Sequence, residues 1–352
     1  MRRLQWYKRG AAYDCSMKGG QEMRKIEIDD VIRSFADRYS TLIQTECTDV
    51  KGKLKELGEF VAANNPWKDE GAVLDYIGLL IDDYTDLLIL EPKEWEAYCN
   101  KYAAVLKREP GMLTTKVNYR SNKKDGFYRD KLYEKILKCL QYETARLILG
   151  PIHQEMGLKT CVYCNVFPTM ATDNDVMYQM DHFMPQSLYP FLGTCFYNLQ
   201  PSCGICNGHK STTLSDFGLY VNAEENKELN PFLFLPKVNN QVEVYPICDE
   251  ILFVGKGKNV TEESKAHEEM FHIHNMYAGY KGKVTKIYKN AYKMTDSSIS
   301  AFSNAFNVAP TKRDVLAYLS DEVSLDERDI HNEPFTKLKQ DTIKQLQEGG
   351  VI

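Results

Sequence analysis

The sequence predicts an α+β protein, predominantly helical, built around a small metal-braced centre. Three observations carry that prediction. Apolar residues recur every three or four positions on both flanks of the chain, as on one face of an amphipathic helix. Between the flanks, residues 158–216 turn rich in Cys, Gly, Pro and Asn and hold two Cys-x-x-Cys pairs. Beyond them, "QVEVYPI" and "ILFVGKG" read as two strands, the second ending in a glycine turn.

The totals set the class. With 352 residues, 43% hydrophobic and 26% charged, the chain has the balance of a soluble globular protein of two or three units. No stretch approaches the roughly 18 apolar residues of a membrane span, so no membrane partner is expected. The start, "MRRLQWYKRG", is basic but lacks the apolar block of an export signal and reads as a loose arm. Ten cysteines without such a signal point to a reducing, cytoplasmic compartment, where paired cysteines hold metal rather than form disulfides. A net charge of −5 excludes a protein that is basic all over. Any contact with nucleic acid must use a local patch, because Lys and Arg have to cluster where phosphates lie.

Four regions follow in order. In residues 1–108, Ile28, Ile32, Phe35, Tyr39 and Ile43 mark a helix over 26–46. Further helices fall at 50–63, 70–90 and 93–107, the last opening after Pro92, which suits a first turn. This region lacks catalytic motifs and is suited to docking a regulatory partner. Residues 109–157 form a basic segment and a linking helix. Lys116, Arg120, Lys123 and Lys124 are interleaved with Tyr119, Phe127 and Tyr128. The segment reads either as a solvated loop or as a strip that tracks a phosphate backbone. The linking helix covers 129–149 and stops at Gly150–Pro151. Residues 158–220 are the centre. Residues 221–352 extend it with short strands, then helices over 261–295, 310–320 and 335–347.

In the centre, Cys161 and Cys164 form one knuckle and Cys203 and Cys206 the other. Two intervening residues put both thiolates on one side of a tight turn, so two knuckles complete a tetrahedral four-sulfur zinc site with Zn–S distances of about 2.3 Å. Four sulfurs leave no open position for water, which makes such a zinc structural; a redox pair is the rival reading. Cys15, Cys47, Cys99, Cys139, Cys195 and Cys248 are scattered through apolar or helical patterns and read as small hydrophobes. The interval between the knuckles is wide enough to hold folded structure.

That interval and the second knuckle carry "YQMDHFMPQS", then "FYNLQPSCGICNGHKS". Asp181–His182, a following Pro, Asn198 before a Leu, and Cys-x-x-Cys-Asn-x-x-Lys resemble the HNH endonucleases. These are the zinc-braced ββα-metal nucleases with a treble-clef-like core, here in the variant whose last position is Asn207 rather than His. The likeness covers residues 158–216. Hydrolysis of a phosphodiester needs a base to activate water and a cation beside the oxygens. An imidazole can be that base near neutral pH, and Asp181 is a hard ligand for Mg²⁺ or Mn²⁺. The resemblance implies that Asp181 and Asn207 hold the catalytic ion, that His182 is the base, and that Asn198 orients its loop. It further implies that Lys210 stands beside the phosphate and that products carry a 5′-phosphate and a 3′-hydroxyl. The substrate is then nucleic acid, DNA ahead of RNA.

His209 lies within the knuckle helix and is a candidate phosphate contact. His267, His272 and His274 invite a second metal reading, but an i, i+2 spacing puts the last two on different helix faces, and packing is preferred. The wider layout is similar to bacterial HNH proteins of Septu-type anti-phage defence systems, which implies an ATPase partner. Two alternatives stay beside the nuclease. One is a zinc-stabilised module that binds nucleic acid without cutting; the other is an adaptor with an inactive nuclease core.

Overall fold

The computed structural model describes residues 24–63, 66–120, 127–215, 218–225, 228–239, 245–307 and 310–352. A two-residue strand, β1 (Ile26–Glu27), leads into four helices: α1 (Asp30–Glu46), α2 (Val50–Ala63), α3 (Glu70–Leu87) and α4 (Trp95–Leu106). Their starts are written in the sequence. The carboxylates of Asp29 and Asp69 accept from the Ile32 and Ala72 amides at 2.8 and 2.9 Å. They satisfy N–H groups that a helix start otherwise leaves unpaired.

Next comes an antiparallel hairpin of β2 (Lys116–Arg120) and β3 (Phe127–Lys131), followed by α5 (Leu132–Cys139) and α6 (Tyr142–Glu155). The single helix expected over 129–149 is therefore divided, and it does not stop at Gly150–Pro151. The chain turns at Gln141, whose φ is +56°, and α6 runs through Pro151. Gly150 serves packing instead. A Cβ there would come within 2.4 Å of Val176 Cγ2 and 3.0 Å of Ala171 Cβ, on the small hairpin of β4 (Ala171–Thr172) and β5 (Asp175–Val176).

The centre consists of β6 (Gln179–His182), a long loop, β7 (Leu199–Ser202) and α7 (Gly204–Lys210). β6 and β7 are antiparallel, with Asp181 opposite Gln200 and His182 opposite Leu199. β8 (Tyr220–Val221) then pairs in parallel with β1. The C-terminal part is an antiparallel ribbon of β9 (Phe232–Asn239) and β10 (Ile247–Gly255). Helices α8 (Glu262–Phe271), α9 (Ile273–Ala278), α10 (Lys281–Lys293), α11 (Asp296–Phe306), α12 (Lys312–Ser320) and α13 (Thr336–Glu348) complete it.

Here the expected strand pair is corrected. β10 begins before "ILFVGKG", its partner is "FLFLPKVN", and residues 241–244 of "QVEVYPI" lie outside the described residues. Pro236 masked β9, because a proline cannot donate to a ladder. In a two-stranded ribbon that missing donor can face away from the partner, and the Pro236 carbonyl accepts from Gln345 Nε2 at 3.1 Å.

Buried apolar residues from Ile28 to Leu346 form one continuous cluster. The N-terminal helices therefore clamp the loop between β6 and β7. Tyr39 Oη donates to the Thr194 carbonyl at 2.9 Å, the Phe196 amide donates to Leu88 at 2.8 Å, and Tyr102 stacks on Phe191 at 4.2 Å. From the other side, the Tyr277 hydroxyl donates to the Cys164 carbonyl at 2.7 Å and Phe271 stacks on Tyr163 at 4.5 Å. No described helix is long and apolar enough to cross a membrane.

Candidate active site and metal centre

Cys161, Cys164, Cys203 and Cys206 meet as a buried group whose sulfurs all lie within 4.8 Å of one another. The Cys164 and Cys203 sulfurs are 4.0 Å apart, close to the roughly 3.8 Å edge of a tetrahedron built on zinc–sulfur bonds of about 2.3 Å. Two elements set this geometry. The first knuckle turns through Asn165, at φ +52°, whose buried amide donates to Thr160 Oγ1 and the Ile330 carbonyl. The second caps α7, where the Cys206 amide donates to Cys203 Sγ at 3.4 Å. Hydrogen bonds from the neighbouring thiols, Cys161 first, hold the Cys203 thiol well below its usual range, while burial pushes Cys161 up. This sulfur set fits a metal ion such as zinc, which it would hold as a structural brace.

Asp181 and His182 stand at the end of β6, both buried. The Asp181 carboxylate accepts from the Tyr163 hydroxyl and from Lys210 Nζ at 3.1 Å. Gln200, across the ladder from Asp181, donates to Tyr163 Oη at 3.2 Å. Lys210 also donates to the His182 carbonyl at 2.7 Å. The resemblance puts Lys210 beside the phosphate; in the structure it is instead fully buried, its charge spent on Asp181. An ammonium without solvent needs a carboxylate partner, and that need draws it inward.

The His182 ring is fixed as well. Nε2 lies 2.9 Å from the Gly193 carbonyl. A carbonyl only accepts, so Nε2 carries the proton and Nδ1 keeps its lone pair. No described residue bonds Nδ1. Tyr142 packs on the ring at 4.9 Å. Burial drives the imidazole pKa down to about 4, only partly offset by the Gly193 bond, so the ring is neutral at neutral pH. Asn198, wholly buried, staples the loop that follows. Its Oδ1 accepts from the Met184 amide at 2.7 Å, and its Nδ2 donates to the carbonyls of Leu192 at 3.0 Å and Met184 at 3.3 Å.

Asn207 sits on α7, half-buried, with Nδ2 donating to Gln179 Oε1 at 2.6 Å. That bond orients the amide and leaves its oxygen available as a ligand. Asp181, His182 and Asn207 all line one cavity of about 560 Å³. A carboxylate and an amide oxygen there are the hard donors that Mg²⁺ or Mn²⁺ prefers.

Other candidates lie elsewhere. His209 is exposed and meets His272 edge-on at 4.9 Å, away from the cavity lining. Lys116 is exposed on β2, outside that lining. Lys123, Lys124 and the side chain of Arg120 lie outside the described residues. His267 is buried against Phe232, Phe253 and Phe271 and donates to the Tyr163 carbonyl at 2.8 Å, a packing role. Sequence reasoning missed Tyr142, Glu143 and Arg146 of α6, which also line the cavity. Their only signal was the helical spacing of a segment read as a linker.

Among known proteins, the chain is 28% identical over 123 residues to Septu protein PtuB of Bacillus thuringiensis. The match covers 35% of this chain and 39% of that protein, well under two thirds of its length. No protein-family model matches the chain, and no solved structure matches it.

Proposed function

We propose that the chain is a metal-dependent endonuclease of HNH type that hydrolyses phosphodiester bonds of nucleic acid, DNA ahead of RNA. The observation that carries this reading is the convergence of Asp181, His182 and Asn207 on one cavity, with Nδ1 of a neutral imidazole left free. His182 would accept the proton of the attacking water through Nδ1, the tautomer being held by Gly193. Asn198 keeps the loop carrying Gly193 in register with β6. Tyr163 and Lys210 hold the Asp181 carboxylate in one orientation. Asp181 and Asn207 would hold a divalent ion such as Mg²⁺ or Mn²⁺, which would supply positive charge for the phosphate oxygens.

The similarity to Septu protein PtuB supports a role in bacterial anti-phage defence beside a second protein, which we take to be an ATPase. The helical region up to residue 108 is the natural docking face. Because its core is continuous with the centre, this role is tested by charge-reversal on its exposed surface rather than by deletion. Loss of co-purification with the partner, with folding unchanged, is the expected result.

The nuclease reading is tested on a panel of duplex DNA, single-stranded DNA and RNA with Mg²⁺ or Mn²⁺, with end-group analysis. Wild type is expected to leave 5′-phosphates, and His182→Ala to lose on the order of 10²-fold or more in rate. A folded His182→Ala protein that cuts as fast as wild type would refute the base; no cutting by wild type under any condition would favour a binding module.

A further inference from the structure

Resting on that nuclease reading, we infer that Arg146 of α6 is the phosphate-binding cation of the site. Besides three tyrosines, four ionisable side chains among the described residues line the cavity: Glu143, Arg146, Asp181 and His182. Beside the His182 imidazole, whose Nε2 is tied to the Gly193 carbonyl at 2.9 Å, the lining carries two carboxylates to one guanidinium, an acidic wall that would repel a phosphodiester. A divalent ion answers part of that repulsion. The cation that the sequence offered for the rest, Lys210, is buried behind Asp181 and does not reach the cavity.

Arg146 does reach it. Its side chain is 24% exposed, and its hydrogen bonds to described residues come from Nη2, which donates to the carbonyls of Val176 at 2.6 Å and Tyr178 at 3.0 Å. Those two bonds tie the guanidinium to the chain that enters β6. Nη1 comes no closer than 4.0 Å to the Glu143 carboxylate, which is itself 82% exposed. The N–H groups of Nε and Nη1 therefore remain for a ligand, and a planar guanidinium fork matches two phosphate oxygens. Anchoring by backbone carbonyls removes most of the rotamer freedom that a surface arginine would lose on binding.

Arg146 thus contributes charge to binding through a contact with substrate, and it also anchors the segment before β6. Salt dependence separates the two. Each phosphate neutralised adds about 0.9 to the slope of log K against log salt for duplex DNA, and about 0.7 for single strands. A purely structural anchor leaves that slope unchanged.

The experiment is fluorescence anisotropy of labelled duplex and single-stranded DNA over a KCl series, with Mg²⁺. The parent is His182→Ala, which keeps substrate intact. In that background Arg146→Gln retains a donor for the Val176 and Tyr178 carbonyls, and circular dichroism checks its fold. Weaker binding by roughly tenfold, with the slope shallower by about one phosphate contact, is expected. Arg146→Lys should recover the slope but not the full affinity. Unchanged affinity, or weaker binding at unchanged slope, overturns the assignment. If wild type cuts DNA and Arg146→Gln cuts and binds equally well, this inference alone fails. If wild type neither binds nor cuts any probe, the nuclease reading fails with it.

Discussion

Lys210 Nζ lies 3.1 Å from the Asp181 carboxylate, and both side chains are sealed from solvent, at 0% and 3% exposure. The pair joins the last residue of α7 to the third residue of β6, so it locks the helix onto the hairpin that carries His182. Removing one partner of such a pair strands a buried charge, whereas replacing both with apolar groups does not.

The first prediction follows directly. Lys210→Met is expected to lower stability by about 3–5 kcal/mol, read as a shifted urea midpoint. The double variant Lys210→Met, Asp181→Leu should regain most of that loss while cutting nothing. Equal destabilisation in the single and double variants would show that the charge pairing is not what holds α7.

The four-sulfur cluster sets a second expectation. Purified protein should carry about one zinc per chain, and Cys206→Ser should lose both the metal and cooperative melting, because a structural zinc contributes its binding energy to folding. Elemental analysis beside a thermal melt in chelator reads both. A metal-free protein with an unchanged melt would remove the brace from the account.

Asn198 gives a third. Asn198→Ala removes the partners of the Met184 and Leu192 backbone groups, at a cost of about 1–3 kcal/mol for stranding a buried polar group. Because the loop also presents Gly193 to His182, cleavage should fall further than stability explains. A variant with a lowered melting point but full kcat would confine Asn198 to structure.

These side chains divide cleanly by how they could be read in advance. The four cysteines, Asp181, His182, Asn198 and Asn207 are legible because their order and spacing along a short stretch reflect local turns and one hairpin. The inward turn of Lys210 was not, because it depends on where solvent is excluded, which no spacing records. Tyr163, Tyr142 and Arg146 reach the site from other elements, and their types are common in helices and knuckles alike. Gly150–Pro151 misled for a related reason. Both residues punctuate helices in isolation, yet here tertiary contact with Val176 fixed the need for a bare Cα.

That contact can be tested. Gly150→Ala would drive a methyl against Val176 and Ala171, and overpacking of this kind typically costs about 1–3 kcal/mol. Val176→Ala in the same chain should relieve much of it, since the closer clash is with Val176 Cγ2 at 2.4 Å. A Gly150→Ala protein more stable than wild type would instead point to simple helix propensity.

Acid should weaken the fold through buried histidines that do not line the proposed site. Burial lowers the pKa of His153 to about 3 and that of His331 to about 4, against an ordinary value of 6.5. Each folded pKa lies below its unfolded value, so the unfolded chain binds more protons as pH falls below 6.5. Their contribution is complete above that point and is lost progressively toward pH 4, at up to about 1.4 kcal/mol per pH unit for each ring. His331 donates through Nε2 to the Arg24 carbonyl at 2.8 Å, a bond that the amide of a His331→Gln variant can replace without titrating. Urea midpoints taken between about pH 7 and about pH 5 should therefore fall less steeply in His331→Gln than in wild type, by close to one proton's worth of slope. Comparing two chains with the same metal site cancels the acid sensitivity of the cysteines, so parallel pH profiles would mean that the folded protein protonates His331 as readily as the unfolded chain.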